Sequence, residues 1–405
     1  MKAGQTTLRR GAAREAGMSQ ERLDRALSLI EISCREEPKP IAGRQPFPYA
    51  FPGAVALVAR HGIIVARRAF GKAQVVPEPR PMKEDSVFDL ASLTKPLATT
   101  TLALQLLEDG VLRLDDTVAR FFAEFGSRGK ENILIRHLLT HTSGLPAWAP
   151  LYTDGRPPAK VISILADTDL AYATGTKVEY SCLGYILLGQ IIELIAGEDL
   201  AALTAKRICQ PLGLTDTYFL PERPDTALLA RIVPTEHGNH YERRPGALAG
   251  GRPKPWVRDY LIHGEVHDGN AHFMGGISGN AGLFGTAADV ATIAQTLLNG
   301  GGMRGARLLS PRTIALATMN HTSGLNENRG FGWSLPGSGS SAGDLLFGSA
   351  FGHTGFTGTS VWVDPALDLI ILLFTNRVHP TCDNIEILRI RALFANAVAA
   401  AVVDP

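Results

Sequence analysis

Apolar residues recur along this chain with two different periods, and the change from one to the other outlines its elements. Leu23, Leu27 and Ile30 share one side of a helix predicted over 19–36. Residues 53–60 and 63–70 then read as two strands that turn at His61-Gly62. A largely apolar stretch follows, with Leu97, Ala98, Leu102, Ala103, Leu104, Leu106 and Leu107 ahead of Asp109-Gly110. It predicts a buried helix that ends at a glycine cap. Further helices are predicted over 133–139, 161–166, 182–195, 200–208 and 287–298. Residues 359–363 and 369–375 read as a second pair of strands, and a helix over about 384–400 closes the chain.

The polar stretches between these elements differ in kind. Residues 1–17 are polar and basic and predict a disordered tail, and 38–52 is a Pro-containing connection. Residues 221–275 are rich in Pro, Gly, Arg and His with little periodicity, as expected of a cover over a pocket. There is no internal repeat. Strands lie toward both ends of the chain and helices between them. This order predicts a sheet domain made of 18–91 with 330–405, and a mainly helical domain over 92–329 that carries the 221–275 lid.

Composition narrows the class. With 405 residues, 43.4 kDa and 45% hydrophobic content, the chain can bury a large core and divide into two lobes. Its 40 basic residues nearly cancel its 39 acidic ones, which points to no nucleic-acid or anionic-membrane partner. No run of about 18 uncharged apolar residues occurs, so no membrane insertion is expected, and no apolar leader follows Met1. Cys34, Cys182, Cys209 and Cys382 have no metal-site spacing. Together these features predict a cytoplasmic protein with free thiols and no bound metal.

Ser92-Leu93-Thr94-Lys95 carries the chemistry. Three residues of separation at a helix start put the hydroxyl and the amine on one face, within reach of each other. A serine becomes a nucleophile when a base takes its proton, and a desolvated neutral lysine is such a base. Pro96 places the helix start near Ser92, where the helix end favours developing negative charge. Ser127-Arg128-Gly129-Lys130 has the same spacing but lies in a charged, Gly-broken stretch that fixes no geometry. Two further segments stand out. One is Tyr180-Ser181-Cys182, just ahead of an apolar helix; the other is the Gly-rich strand rim Gly352-His353-Thr354-Gly355-Phe356-Thr357-Gly358.

In this order and at these separations the three segments resemble the serine β-lactamase and penicillin-binding superfamily. The likeness is strongest to the branch with class C β-lactamases, D-alanyl-D-alanine carboxypeptidases, D-aminopeptidases and β-lactamase-fold esterases. Residues 51–54, 135–145 and 279–286 fit the same pattern. The resemblance implies an α+β fold, an antiparallel sheet flanked by terminal helices with an inserted helical domain and the pocket at the seam. It implies a Ser92 acyl-enzyme, with Lys95 and Tyr180 moving the proton and the backbone N–H groups of Ser92 and Phe356 forming the oxyanion hole. Cys182, His353, Thr354 and Gly355 would line the substrate pocket. His353 would orient a substrate carboxylate or the tyrosine and titrate near neutrality. No cofactor is implied.

One departure bears on specificity. Relatives commonly carry Tyr-x-Asn where this chain has Tyr180-Ser181-Cys182, and a thiol is a weak donor and weak acceptor beside an amide. This favours an ester or small amide over a β-lactam. The preferred reading is therefore a serine hydrolase of small esters, amides or short peptides. The alternatives are a D-amino-acid-specific peptidase or carboxypeptidase, or a true class C-type β-lactamase. A third is a non-catalytic scaffold of the same fold. Gly339-Ser340-Ser341-Ala342-Gly343 matches the nucleophile elbow of α/β-hydrolases but lacks the strand and helix that motif requires. His263, His267, Asp268 and His272 fit no metal template and read as pocket-rim residues or loop anchors. His137 and His141, four apart, read as structural, and Tyr152 as a weaker candidate than Tyr180 for the tyrosine role.

Overall fold

The structure, a computed structural model, describes residues 7–36, 49–220, 224–243, 258–337 and 339–404. β1 (Arg9–Arg10) leads through a 3₁₀ turn at Ala13–Ala16 into a helix over Gln20–Ser33, capped by Ser19. β2 (Gly53–Arg60) and β3 (Ile63–Gln74) form a long antiparallel hairpin, to whose end β4 (Arg80–Pro81) adds. β5 (Phe88–Asp89), β6 (Thr217–Phe219) and β7 (Leu283–Gly285) make a separate small sheet in the order β5-β7-β6. β8 (Gly302–Met303) pairs with β9 (Ala306–Arg307). β10 (Phe351–Thr354), β11 (Thr359–Asp364) and β12 (Leu369–Thr375) complete the main sheet, whose order is β1-β3-β2-β12-β11-β10. Every pairing in it is antiparallel except β1 with β3.

β2 is buried along its whole length because both faces of the sheet are covered. Val55, Leu57 and Ala59 point into a core shared with the helical region, and Ala54, Ala56 and Val58 into a second core. The terminal helices close that second core, Leu23, Leu27 and Ile30 from Gln20–Ser33, and Ile390, Phe394 and Val398 from Ile387–Ala399. On the other face lie the helices Thr101–Glu108, Cys182–Ala196 and Ala287–Leu298. The fold is α+β, with an antiparallel sheet carrying terminal helices on one face.

Two expectations need correction. The basic segment 1–17 is not a tail over its described part. Arg9 and Arg10 pair with Ile63 and Ile64, and Ala13 and Ala16 are buried against the sheet. A two-residue edge strand of arginines has no apolar alternation to betray it. The 221–275 stretch is likewise more than a loose cover. Ile232, Val266 and Ala271 form a small core with Val87, Ala281 and Phe284, and helices occupy Thr226–Arg231, His240–Arg243 and Gly269–Phe273. Its centre, 244–257, lies outside the described residues.

Candidate active site

Ser92 sits in a 3₁₀ turn, Ala91–Leu93, that runs into a π-helical turn over Lys95–Thr100 and then the helix Thr101–Glu108. Ala91 is held at φ +46°, a costly conformation for a residue with a Cβ. Buried Asp89 holds it there: one carboxylate oxygen accepts from the Ala91 N–H at 2.8 Å, the other from the His267 N–H at 2.8 Å. Lys95 follows on the same face. Its Nζ donates to Ser92 Oγ at 3.1 Å and to the Asn280 carbonyl at 3.0 Å, and lies 3.6 Å from Cys182 Sγ.

Tyr180 and Cys182 arrive from the start of Cys182–Ala196, where the Ser181 hydroxyl caps the helix and the Ser181 N–H donates to His141 Nδ1 at 3.0 Å. The Lys95 Nζ stands 4.8 Å from the centre of the Tyr180 ring, with the His141 ring 4.5 Å away and the Arg329 guanidinium 5.5 Å away. The Tyr180 hydroxyl is buried and makes no hydrogen bond among the described residues. The tilted rings of His141 and His353 flank it, while Lys95 and Ser92 are groups near enough to favour its phenolate.

The third wall is the turn between β10 and β11. The Thr357 hydroxyl donates to the Asp89 carbonyl at 2.7 Å and the Thr359 hydroxyl to the Leu90 carbonyl at 3.1 Å, so the turn docks onto the backbone leading into Ser92. Gly355 permits this approach, since a Cβ there would lie 2.5 Å from the Leu90 carbonyl oxygen. A cleft of about 570 Å³ opens over these groups. Ser92, Tyr180, Cys182, His353, Thr354, Gly355 and Phe356 all line it, so every predicted site side chain but Lys95 faces the cleft and Lys95 lies buried beneath.

Burial acts on all the ionisable groups. It would lower the Lys95 pKa, but neighbouring Cys182 and Tyr180 outweigh it and the net direction is upward. Burial raises Tyr180 and Cys182, against the opposing pull of the Lys95 charge. His353 does not titrate near neutrality. Burial first, then the Arg329 and Lys95 charges, hold it well below its ordinary range. Its Nδ1–H donates to the Thr354 carbonyl at 2.8 Å, and buried Nε2 has no partner among the described residues.

Comparison with known proteins agrees with this architecture. A family model described as Beta-lactamase matches residues 41–395. The chain belongs to the beta-lactamase family. Among family relatives, an N-acetylmuramyl-L-alanine amidase of Bacillus subtilis is 34% identical over 354 residues, covering 81% of this chain and 78% of that protein. A protein of Escherichia coli provisionally named a D-alanyl-D-alanine carboxypeptidase is 32% identical over 363 residues, 82% of this chain and 80% of the other. Among solved structures, a penicillin-binding protein homologue from Caulobacter crescentus superposes with a TM-score of 0.69 at 20% identity, covering 95% and 99% of the two chains. EstCE1, a hydrolase with promiscuous acyltransferase activity, gives 0.68 at 24% identity over 95% and 99%.

Some residues of the site escaped the sequence reading. Arg329, Arg377 and Arg391 bring positive charge to the cleft, and Glu242 brings negative charge, beside His267 and Asp268, which the sequence had already singled out. Asn280 gives its carbonyl to Lys95 from within the 279–286 segment. Arg391 left a legible trace: it falls on the apolar stripe Ile387, Ile390, Phe394 and Val398 of the last helix, where a charge is out of place. The histidines and aspartate of 263–272 part ways. His267 pairs with buried Glu236 at 2.9 Å, and His263 meets the Leu229 and Ile232 carbonyls. Lys130 of the second S-x-x-K donates to the Ala166 carbonyl, and Ser341 accepts from Trp362 in the Gly/Ser loop.

Proposed function

We propose that this beta-lactamase-family protein is a serine hydrolase that cleaves an ester or small amide through a Ser92 acyl-enzyme. The observation that carries the reading is the 3.1 Å contact between Lys95 Nζ and Ser92 Oγ at the cleft floor, with the Tyr180 ring beside them. Ser92 Oγ attacks the substrate carbonyl carbon, and the C–O bond forms as the carbonyl becomes an oxyanion. The backbone N–H groups of Ser92 and Phe356 receive that charge, each such donor worth roughly 10²–10³-fold. The serine proton passes to Lys95 or Tyr180 and on to the leaving alkoxide or amine. Water then attacks the acyl carbon by the reverse route.

Both candidate bases are held above their ordinary pKa values, so the reactive form is the one in which the Lys95–Tyr180 pair has lost one proton. His353 enters as a neutral acceptor on the cleft wall. The names of the nearer relatives, an amidase and a carboxypeptidase, support a peptide-like amide within this class. Four free cysteines fit a reducing, cytoplasmic setting. The test is covalent labelling with a fluorophosphonate and a fluorescent penicillin, followed by mapping of the adduct. Label on Ser92 in the wild type and none in Ser92→Ala is the expected result. Undiminished hydrolysis by Ser92→Ala would refute the assignment.

A further inference from the structure

The last helix places a guanidinium against the proposed oxyanion hole. Arg391 is only 6% exposed, and its Nη2 donates to the Gly355 carbonyl at 3.0 Å and the Thr359 carbonyl at 2.9 Å. No carboxylate pairs with it among the described residues, and its Nε is buried without a partner. A buried cation that lacks a counter-ion costs stability, and an apolar side chain on this stripe would pack at lower cost. Its position therefore asks for a reason other than stability.

The peptide it grips supplies one. The Gly355 carbonyl and the Phe356 N–H belong to a single planar trans unit, so they point in opposite directions. We propose that Arg391 is a positioning residue for the oxyanion hole: its donation to the Gly355 carbonyl fixes the plane of that peptide and polarises the Phe356 N–H toward a developing oxyanion. The inference rests on the Ser92 acyl-enzyme reading above. A donor on the carbonyl end draws electron density away from the N–H end, and charge-assisted bonds do so more strongly than neutral ones.

The surrounding contacts serve the same end. The Gly358 N–H also donates to the Gly355 carbonyl, at 3.1 Å, closing the turn. The Arg377 Nε donates to the Phe356 carbonyl at 2.7 Å, and its guanidinium lies 4.3 Å from the Phe356 ring. Two arginines thus hold the peptides on either side of Phe356, while Thr357 and Thr359 tie the same turn to the nucleophile segment. Burial, and then the Arg377 charge, push the Arg391 guanidinium down to about 9, which still leaves it charged at neutral pH.

The test compares full-length Arg391→Met and Arg391→Lys with wild type on a p-nitrophenyl ester. Binding of an arylboronic acid, which forms a tetrahedral adduct with a serine nucleophile, is measured in parallel. Arg391→Met is expected to lower kcat and boronate affinity together by about 10- to 100-fold, part of the worth of one oxyanion donor. KM should change less than about threefold, and the thermal midpoint should not fall. Arg391→Lys, which keeps a charged donor, should recover part of the loss and reads the same effect if the methionine variant does not fold. Boronate affinity and kcat within about threefold of wild type would overturn the proposal. So would a falling midpoint with no selective loss of boronate affinity. If Ser92→Ala retained activity the parent reading would fail instead, which separates the two outcomes.

Discussion

Replacing Gly355 by alanine tests whether the hairpin turn must sit flush against the nucleophile segment. The new Cβ would lie 2.2 Å from Thr359 Oγ1 and 2.5 Å from the Leu90 carbonyl oxygen. The threonine hydroxyl can rotate aside, but the Leu90 oxygen belongs to the backbone two residues before Ser92. Ordinary contact begins near 3.4 Å, so turn and nucleophile segment must separate by about 0.9 Å (3.4 − 2.5). A misplacement of about 1 Å at a catalytic constellation costs on the order of 10²-fold in rate. Overpacking of this kind also destabilises by about 1–3 kcal/mol. Acylation would be followed as the burst of p-nitrophenol from an activated ester, alongside thermal melts. The expected result is a folded protein whose acylation is slower by about 100-fold. A folded Gly355→Ala variant that acylates within about threefold of wild type would refute the close-approach argument.

Two further outcomes follow from ionisation. With Lys95 and Tyr180 both raised and His353 well below its usual range, kcat/KM should climb with pH from 7 to 9 by up to about tenfold per unit. No inflection should appear near 6.5, and a pH–rate profile that levels off there would contradict the assignment. His379 bears on stability: burial pushes it down to about 4 from 6.5, with its Nε2 accepting from the Val75 N–H and its Nδ1 donating to the Thr235 carbonyl. Its folded pKa lies below its unfolded one, so its contribution is intact above about 6.5 and is lost as pH falls toward 4. The loss amounts to about 3 kcal/mol at most. Denaturant melts of wild type and His379→Gln at pH 7, 5 and 4 should show a shallower acid decline in the variant. Equal slopes would rule this out.

The elements with strong periodicity could be read from the chain, and those built on single contacts could not. Leu23, Leu27 and Ile30 announced the first helix because one face meets the sheet, and the alternation in β2 sorts its side chains between two cores. Ser92, Lys95 and Tyr180 were readable because each precedes or opens an apolar helix. The charge states were not, since they depend on which groups face one another after folding. Nothing in the spacing of Cys182 or Tyr180 says that they outweigh burial at Lys95. Arg9 and Arg10 escaped for another reason: two residues of edge strand are held by backbone bonds alone, and side-chain pattern is silent about those.

The bonds from Thr357 and Thr359 to the Asp89 and Leu90 carbonyls join residues 268 and 269 positions apart. A ribosome-bound chain emits Ser92 well before the hairpin that completes its surroundings. An unfinished polypeptide therefore carries the serine without the neighbours that would make it reactive. On the proposed mechanism, chemical competence waits for those strands and for the helix Ile387–Ala399 that follows them.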